Sequence, residues 1–184
     1  MATARLGPDS LFQAYKLLKP IAAGPLRVKS EMVGLPLPSV TPEEVERARE
    51  TVKTATDRTR DGFMMLVNGY KVLDVAAREG KPLEVEVQAV ALGSEVAWVS
   101  LPGEVFVELG LSIKKRSPFR FTMIAELANG SIGYIPDRRS YAEGNYEPVS
   151  ARCAAGSGEM LLETAVKLLG DLHREVRPSE TGPR

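Results

Sequence analysis

Leu83, Val85, Val87 and Ala89 alternate with Glu84, Glu86 and Gln88, the period-two pattern of a strand with one face on a core and the other in water. Just past Gly93-Ser94 a second apolar run, Val96 to Leu101, predicts a tight hairpin over residues 83–101 with Trp98 in the core. Pro102-Gly103 breaks that strand. Val105, Phe106, Leu109 and Ile113 then follow helical spacing, which puts Glu104 in the first turn of a helix. That helix ends on Lys114-Lys115-Arg116, a basic stretch suited to the negative pole of the dipole, and Pro118 closes it. Phe121 to Ala128 predicts another buried strand, Asn129-Gly130 a turn, and Ile132 to Ile135 a short extended piece. Beyond Gly158, Met160, Leu161, Ala165, Leu168, Leu169 and Leu172 form the stripe of a final amphipathic helix.

Upstream, Leu11, Phe12, Tyr15 and Leu18 predict a short helix between Ser10, as N-cap, and Pro20. Residues 21–40 are rich in Pro and Gly and read as extended segments that cross or edge a sheet. Thr41-Pro42-Glu43-Glu44 is a helix start: Thr41 caps, Pro42 suits the first helical position, and Glu44 closes a capping box. The apolar stripe of Val45, Ala48, Val52 and Ala55 is interrupted by the polar stretch 57–62, and helical spacing resumes from Met64 to Ala77, ending at Gly80. The fold class that follows is mixed α/β: a mixed sheet containing the hairpin 83–101, flanked by helices. Residues 1–176 form one folded portion and 177–184, without an apolar anchor, a disordered tail.

Charge narrows the function classes. Lys+Arg 24 balance Asp+Glu 24, so the chain lacks the basic footprint that a phosphate backbone requires, and a nucleic-acid partner is not expected. Cys153 is the only cysteine, which excludes a disulfide framework and a thiolate zinc cluster. His173 is the only histidine, so no site needing two imidazoles can be completed within one copy. No apolar run approaches the ~20 residues that cross a bilayer. The first ten residues lack the apolar segment of a secretory signal, and the compartment stays open.

Two segments carry candidate chemistry. Glu104, in Leu101-Pro-Gly-Glu-Val-Phe106, follows the end of an apolar strand, where a carboxylate can ligate a cation, act as a base, or simply cap a helix. Tyr134, Tyr141 and Tyr146 fall amid Gly, Asn and Pro, so their hydroxyls either face a cleft or satisfy backbone groups under a loop. Gly156-Ser157-Gly158-Glu159 reads as a helix cap without the lysine of a phosphate-binding loop, Cys153 as a small buried thiol, and His173 as a surface residue.

Four blocks in order resemble a known family: Leu101-Pro-Gly-Glu-Val-Phe-Val-Glu-Leu-Gly110, Leu127-Ala-Asn-Gly-Ser-Ile-Gly-Tyr-Ile-Pro136, Ser140-Tyr-Ala-Glu-Gly-Asn-Tyr-Glu147 and Gly156-Ser-Gly-Glu-Met160. They look like the C-terminal part of the neutral/alkaline ceramidase catalytic domain, in particular that of the shorter bacterial members. The resemblance covers most of residues 20–175 and is strongest from Leu83 to Leu172.

The resemblance implies a zinc-dependent hydrolase acting on N-acylsphingosine or a related lipid amide. In that family two histidines from the N-terminal part and a glutamate and a tyrosine from the C-terminal part hold the zinc. Glu104 matches the glutamate, Tyr134 the tyrosine, and Tyr146 the later tyrosine that contacts the reacting amide. The zinc histidines and the active-site serine lie upstream of the matched part, and the family's immunoglobulin-like domain has no counterpart. By this reading the chain is the C-terminal half of a larger catalytic domain. It is completed by an N-terminal half or, failing that, self-associates through the surface left bare. A non-catalytic binding module derived from the same fold is the alternative.

Overall fold

The computed structural model describes residues 8–21, 24–55 and 59–176. Four strands form a mixed sheet: β1 (Leu26–Leu35), β2 (Leu83–Leu92), β3 (Val96–Ser100) and β5 (Phe121–Ala125), in the order β1-β2-β3-β5. β2 pairs antiparallel with both β1 and β3, whereas β3 pairs parallel with β5. The hairpin predicted over 83–101 is present, and Gly93 at φ +58° lets the chain reverse in three residues. A parallel partner for β3 needs a crossover, and that connection carries β4 (Glu104–Val105) and helix α4 (Val107–Arg116). Glu104 therefore lies in a strand and not, as its spacing suggested, in the first turn of α4.

One face of the sheet is dry. Val33, Leu35, Val85, Val87, Ala89, Ala97 and Val99 pack there beneath α7 (Ser157–Val176) and α4, whose Leu109, Ile113, Leu161, Ala165, Leu169 and Leu172 complete the core. Small alanines on β2 and β3 let α7 approach closely, and the periodicity expected of the final helix is the stripe it buries. Ion pairs Lys29–Glu175 and Lys167–Glu31 tie α7 to β1, and Arg116 donates to both carboxylate oxygens of Glu163 between α4 and α7. Each pair is solvent-exposed and screened, so they set alignment more than stability.

α1 (Pro8–Tyr15) begins before Ser10, which lies within the helix and is not its cap. α2 (Pro42–Thr54) starts on the expected capping box, and α3 (Arg60–Ala77) follows the polar interruption. They pack closely: a Cβ on Gly69 of α3 would stand 3.1 Å from Val52 Cγ2 of α2. β5 is an edge strand with Phe121 and Met123 exposed, contrary to the buried strand its apolar run suggested. Trp98 is only half-buried and points to the face away from α7, because its pairing partner Val90 belongs to the opposite set from the buried Ala89 and Ala91. Residues 177–184, expected to form a loose tail, lie outside the described residues. Among the described residues no helix is long and apolar enough to cross a membrane.

Candidate functional site

Past the carboxyl end of β3 the chain forms a second, two-stranded sheet in which β4 (Glu104–Val105) pairs parallel with β6 (Tyr134–Ile135). Its register places Glu104 directly opposite Tyr134 and Val105 opposite Ile135. The backbone fixes it: Glu104 N–H donates to the Gly133 carbonyl at 2.9 Å, and Phe106 N–H donates to Ile135 at 3.1 Å. Val105 and Ile135 are buried in the main core, so the alternation along each strand turns Glu104 and Tyr134 to the opposite, half-exposed side.

Glycines permit this pairing. A Cβ on Gly103 would stand 2.5 Å from the Gly133 carbonyl oxygen and 2.8 Å from Ile135 Cδ1, closer than real Cβ atoms come. Leu101 and Gly103 accept bonds from Ala128 and Leu127, and Pro102 accepts one from Ile132 at 2.9 Å. The Asn129-Gly130 turn is present, with φ +62° and +148°, and folds the returning chain back on residues 101–103.

Tyr146 begins α6 (Tyr146–Ser150), and its ring meets that of Tyr134 edge-on, with centroids 5.7 Å apart at 76°. Asn145, at φ +77°, starts α6 without a side-chain cap, and Lys71 of α3 donates to the Val149 carbonyl at 2.5 Å, holding α6 from the other side. Burial lowers the Lys71 pKa, and nearby Glu44 opposes that shift. The three residues singled out for chemistry, Glu104, Tyr134 and Tyr146, thus share one small cluster.

The electrostatics of the cluster are negative. Partial burial, the charge of Glu104 and the neighbouring Tyr146 push the Tyr134 phenol above its ordinary pKa, and a side-chain hydrogen bond to Glu104 and the charge of Glu147 push the same way. Tyr134 accordingly keeps its phenol proton at neutral pH. Among the described residues neither Glu104 nor Glu147 forms an ion pair, so the cluster suits a cation or a polarised proton. Glu147 was not singled out from sequence, and its position directly after Tyr146 was the only signal. Lys71 carried no sequence signal.

Other candidates fall elsewhere. The Tyr141 hydroxyl, on α5 (Arg138–Glu143), donates to the Cys153 carbonyl at 2.8 Å and so satisfies a backbone group. Cys153 is buried, as its neighbourhood suggested. His173 is half-buried with its ring edge-on to Phe119, 5.0 Å between centroids, which corrects its expected surface setting. Glu159 accepts from Arg138 N–H, in the first turn of α5, at 2.8 Å. Among the described residues no group of three or more His, Cys, Asp and Glu side chains could hold a metal. Glu104 and Tyr134 are two adjacent oxygen donors, a donor set that fits part of a zinc shell but leaves it to be completed from elsewhere. A cavity of about 720 Å³ lies between Pro36–Pro42 and α2 and α3, and none of the three site residues lines it.

No protein-family model and no curated protein sequence matches the chain. Among solved structures, the fold is similar to that of neutral ceramidase from Pseudomonas aeruginosa, with TM-score 0.52 and 14% identity. That match covers 86% of this chain and 30% of the ceramidase chain. A second structure, a ceramidase complexed with C2, aligns at TM-score 0.46 and 20% identity over 55% of this chain and 17% of that one. The chain has a ceramidase-like fold and spans less than a third of the length of those neighbours.

Proposed function

We propose that this chain is the C-terminal portion of a ceramidase-like zinc amidohydrolase, supplying Glu104 and Tyr134 to the metal and Tyr146 to the substrate amide. The observation that carries the reading is the β4–β6 register, which sets Glu104 against Tyr134 with the Tyr146 ring on the latter. Residues 1–176 belong to that portion, and a second polypeptide segment supplies the remaining donors and the nucleophile. The substrate class is a lipid amide of the N-acylsphingosine type.

Zinc, when bound, polarises a carbonyl and lowers the pKa of a bound water or hydroxyl. The chain's own residues do the rest. Glu104 contributes a carboxyl oxygen that, among the described residues, is in no ion pair. Tyr134 holds its proton against Glu104 in the unliganded cluster, and a cation there favours loss of that proton. Tyr146, fixed by its ring contact and by the start of α6, presents a phenol that can donate to oxygen as negative charge develops on it.

The test is zinc content by mass spectrometry after the chain is combined with the segment encoded directly upstream of Met1. One tightly held zinc is expected. Glu104→Gln and Tyr134→Phe should each weaken zinc binding by at least the ~10–100-fold that even supporting residues contribute. Tyr146→Phe should keep the zinc and lower amide hydrolysis by about 10²–10³. Unchanged zinc affinity in both ligand variants would remove the assignment.

The second reading, a non-catalytic binding module, is favoured by one feature: the β4–β6 register sets Glu104 directly against Tyr134, where a phenol can satisfy a carboxyl group without a metal. It predicts neither zinc nor hydrolysis in the combined protein.

A further inference from the structure

The face of the main sheet turned away from α7 is polar at one end and apolar at the other. Along β2 it reads Glu84, Glu86, Gln88, then Val90 and Leu92. Register carries the apolar half across all four strands. One row runs Leu26, Leu92, Val96, Phe121; the next, two residues along, runs Val28, Val90, Trp98, Met123. Directly paired residues share a face, so eight consecutive side chains make one apolar surface with no polar member. No helix of the described residues covers it. Leu26, Val28, Phe121 and Met123 are between 38% and 66% exposed, Val90, Leu92 and Trp98 are half-buried, and Val96 is buried.

The geometry points to this surface as the seat of an apolar-faced layer of a larger polypeptide, the one that completes the site. That inference rests on the function proposed above. Three observations choose this occupant over a second copy of the chain. First, apolar side chains are exposed on two other elements: Phe12 and Tyr15 on α1, and Phe63, Met65 and Tyr70 on α3. A two-fold dimer buries one self-complementary patch, whereas a larger chain can cover several. Second, the matched fold is 30% of a longer chain in the neutral ceramidase structure, which leaves ample polypeptide for a second layer. Third, the surface leads to the site. Trp98 precedes Glu104 by six residues, at most ~20 Å of extended chain, so a layer seated on the two rows reaches Glu104 and Tyr134 within its own width.

The side chains fit such a layer. The α7 face of β2 and β3 uses alanines at 89, 91 and 97, whereas the uncovered face uses Trp98, Phe121, Met123 and Leu92, large enough to interdigitate across the ~10 Å that separates stacked layers. The polar half, from Gln88 to Glu84, marks where the apolar contact of that layer ends.

The experiment co-expresses the full chain with the polypeptide encoded directly upstream of Met1 and follows the pair by sedimentation velocity. A one-to-one complex is expected, weakened about tenfold or more by Val28→Glu, and likewise by Met123→Glu on the edge strand. Neither position contributes to the α7 core, and circular dichroism verifies that each variant folds. Separate sedimentation of the two folded polypeptides would overturn the inference. So would a complex indifferent to both variants, or a homodimer of this chain that Val28→Glu dissolves, which would give the face to a second copy. Zinc content of the same complex reports separately: a Val28-dependent complex without zinc would sink the metal assignment and leave the docking surface standing.

Discussion

Glu104 and Tyr134, thirty positions apart, are direct cross-strand partners in the parallel pairing of β4 with β6. Each strand is two residues long, so neither stands without the other, and what brings the two side chains together is backbone packing around glycine. Gly103→Ala should therefore act on the site without touching a site residue. Its Cβ would meet the Gly133 carbonyl oxygen at 2.5 Å, a backbone atom that cannot rotate away. A loss of about 1–3 kcal/mol is expected from overpacking, with faster hydrogen exchange at the Glu104 N–H. Gly133→Ala is the control: it has open space around its Cβ but φ +82°, so it should lose about 1–2 kcal/mol from backbone strain alone. Equal exchange rates in the two variants would show that Gly103 does not hold the pair in register.

Gly158, in the first turn of α7, sets two effects against each other. Alanine is the better helix former by about 1 kcal/mol. Its Cβ, however, would stand 2.5 Å from Leu109 Cδ1 and 2.8 Å from the Pro136 carbonyl oxygen. Leu109 can change rotamer, but the Pro136 carbonyl belongs to the segment that continues β6. Overpacking of about 1–3 kcal/mol should win, so Gly158→Ala should lower the urea midpoint. A raised midpoint would mean that α7 can slide away from β6 at little cost.

The start of α2 is a local device, and its energetics should be local too. Thr41 Oγ1 accepts from Glu44 N–H at 3.2 Å while Glu44 Oε2 accepts from Thr41 N–H at 2.7 Å. Thr41→Ala should lose about 1 kcal/mol. Because the two bonds are reciprocal, Thr41→Ala and Glu44→Ala together should lose less than the sum of the single losses, a coupling that a double-mutant cycle measures. Additive losses would show two independent bonds.

That contrast explains what was legible in the sequence. Thr41-Pro42-Glu43-Glu44 announces a helix because every partner lies within one turn. The hairpin 83–101 and α7 were legible for a related reason, since alternation and 3.6-residue spacing over five or more positions report one buried face. Glu104-Val105 has no such length. Its strand exists only through Tyr134-Ile135, and a non-local pair of two residues leaves no periodic trace, so helical spacing further on absorbed Glu104 into α4. Helices α5 and α6, with six and five residues, are too short for a stripe, although Asp137 caps the first by accepting from Ser140 N–H at 3.2 Å. Trp98 and Phe121 depart from the expected core because composition shows that a side chain is apolar and says nothing of which face it occupies. The cluster of Glu104, Tyr134 and Tyr146 came from the order of four blocks; composition alone left each residue open.

Tyr141 offers a pH-dependent check on the packing beneath α5. Its hydroxyl donates to the Cys153 carbonyl and lies 3.7 Å from the Cys153 thiol. Burial first, then Cys153 and the charge of Glu159, push the phenol pKa well above its ordinary value. The unfolded phenol titrates near pH ~10, so between that value and the higher folded one the unfolded state has lost a proton that the folded state keeps. Stability from this group is therefore fully present below about pH 10 and falls as pH rises beyond it. Tyr141→Phe should lose about 0.5–1.5 kcal/mol at neutral pH, the net worth of one hydrogen bond. It should also flatten the alkaline fall in stability, because phenylalanine has no proton to lose. Urea unfolding of both proteins from pH 7 to 11 reads the difference, and parallel curves across that range would mean that Tyr141 ionises in the fold as easily as in the unfolded chain.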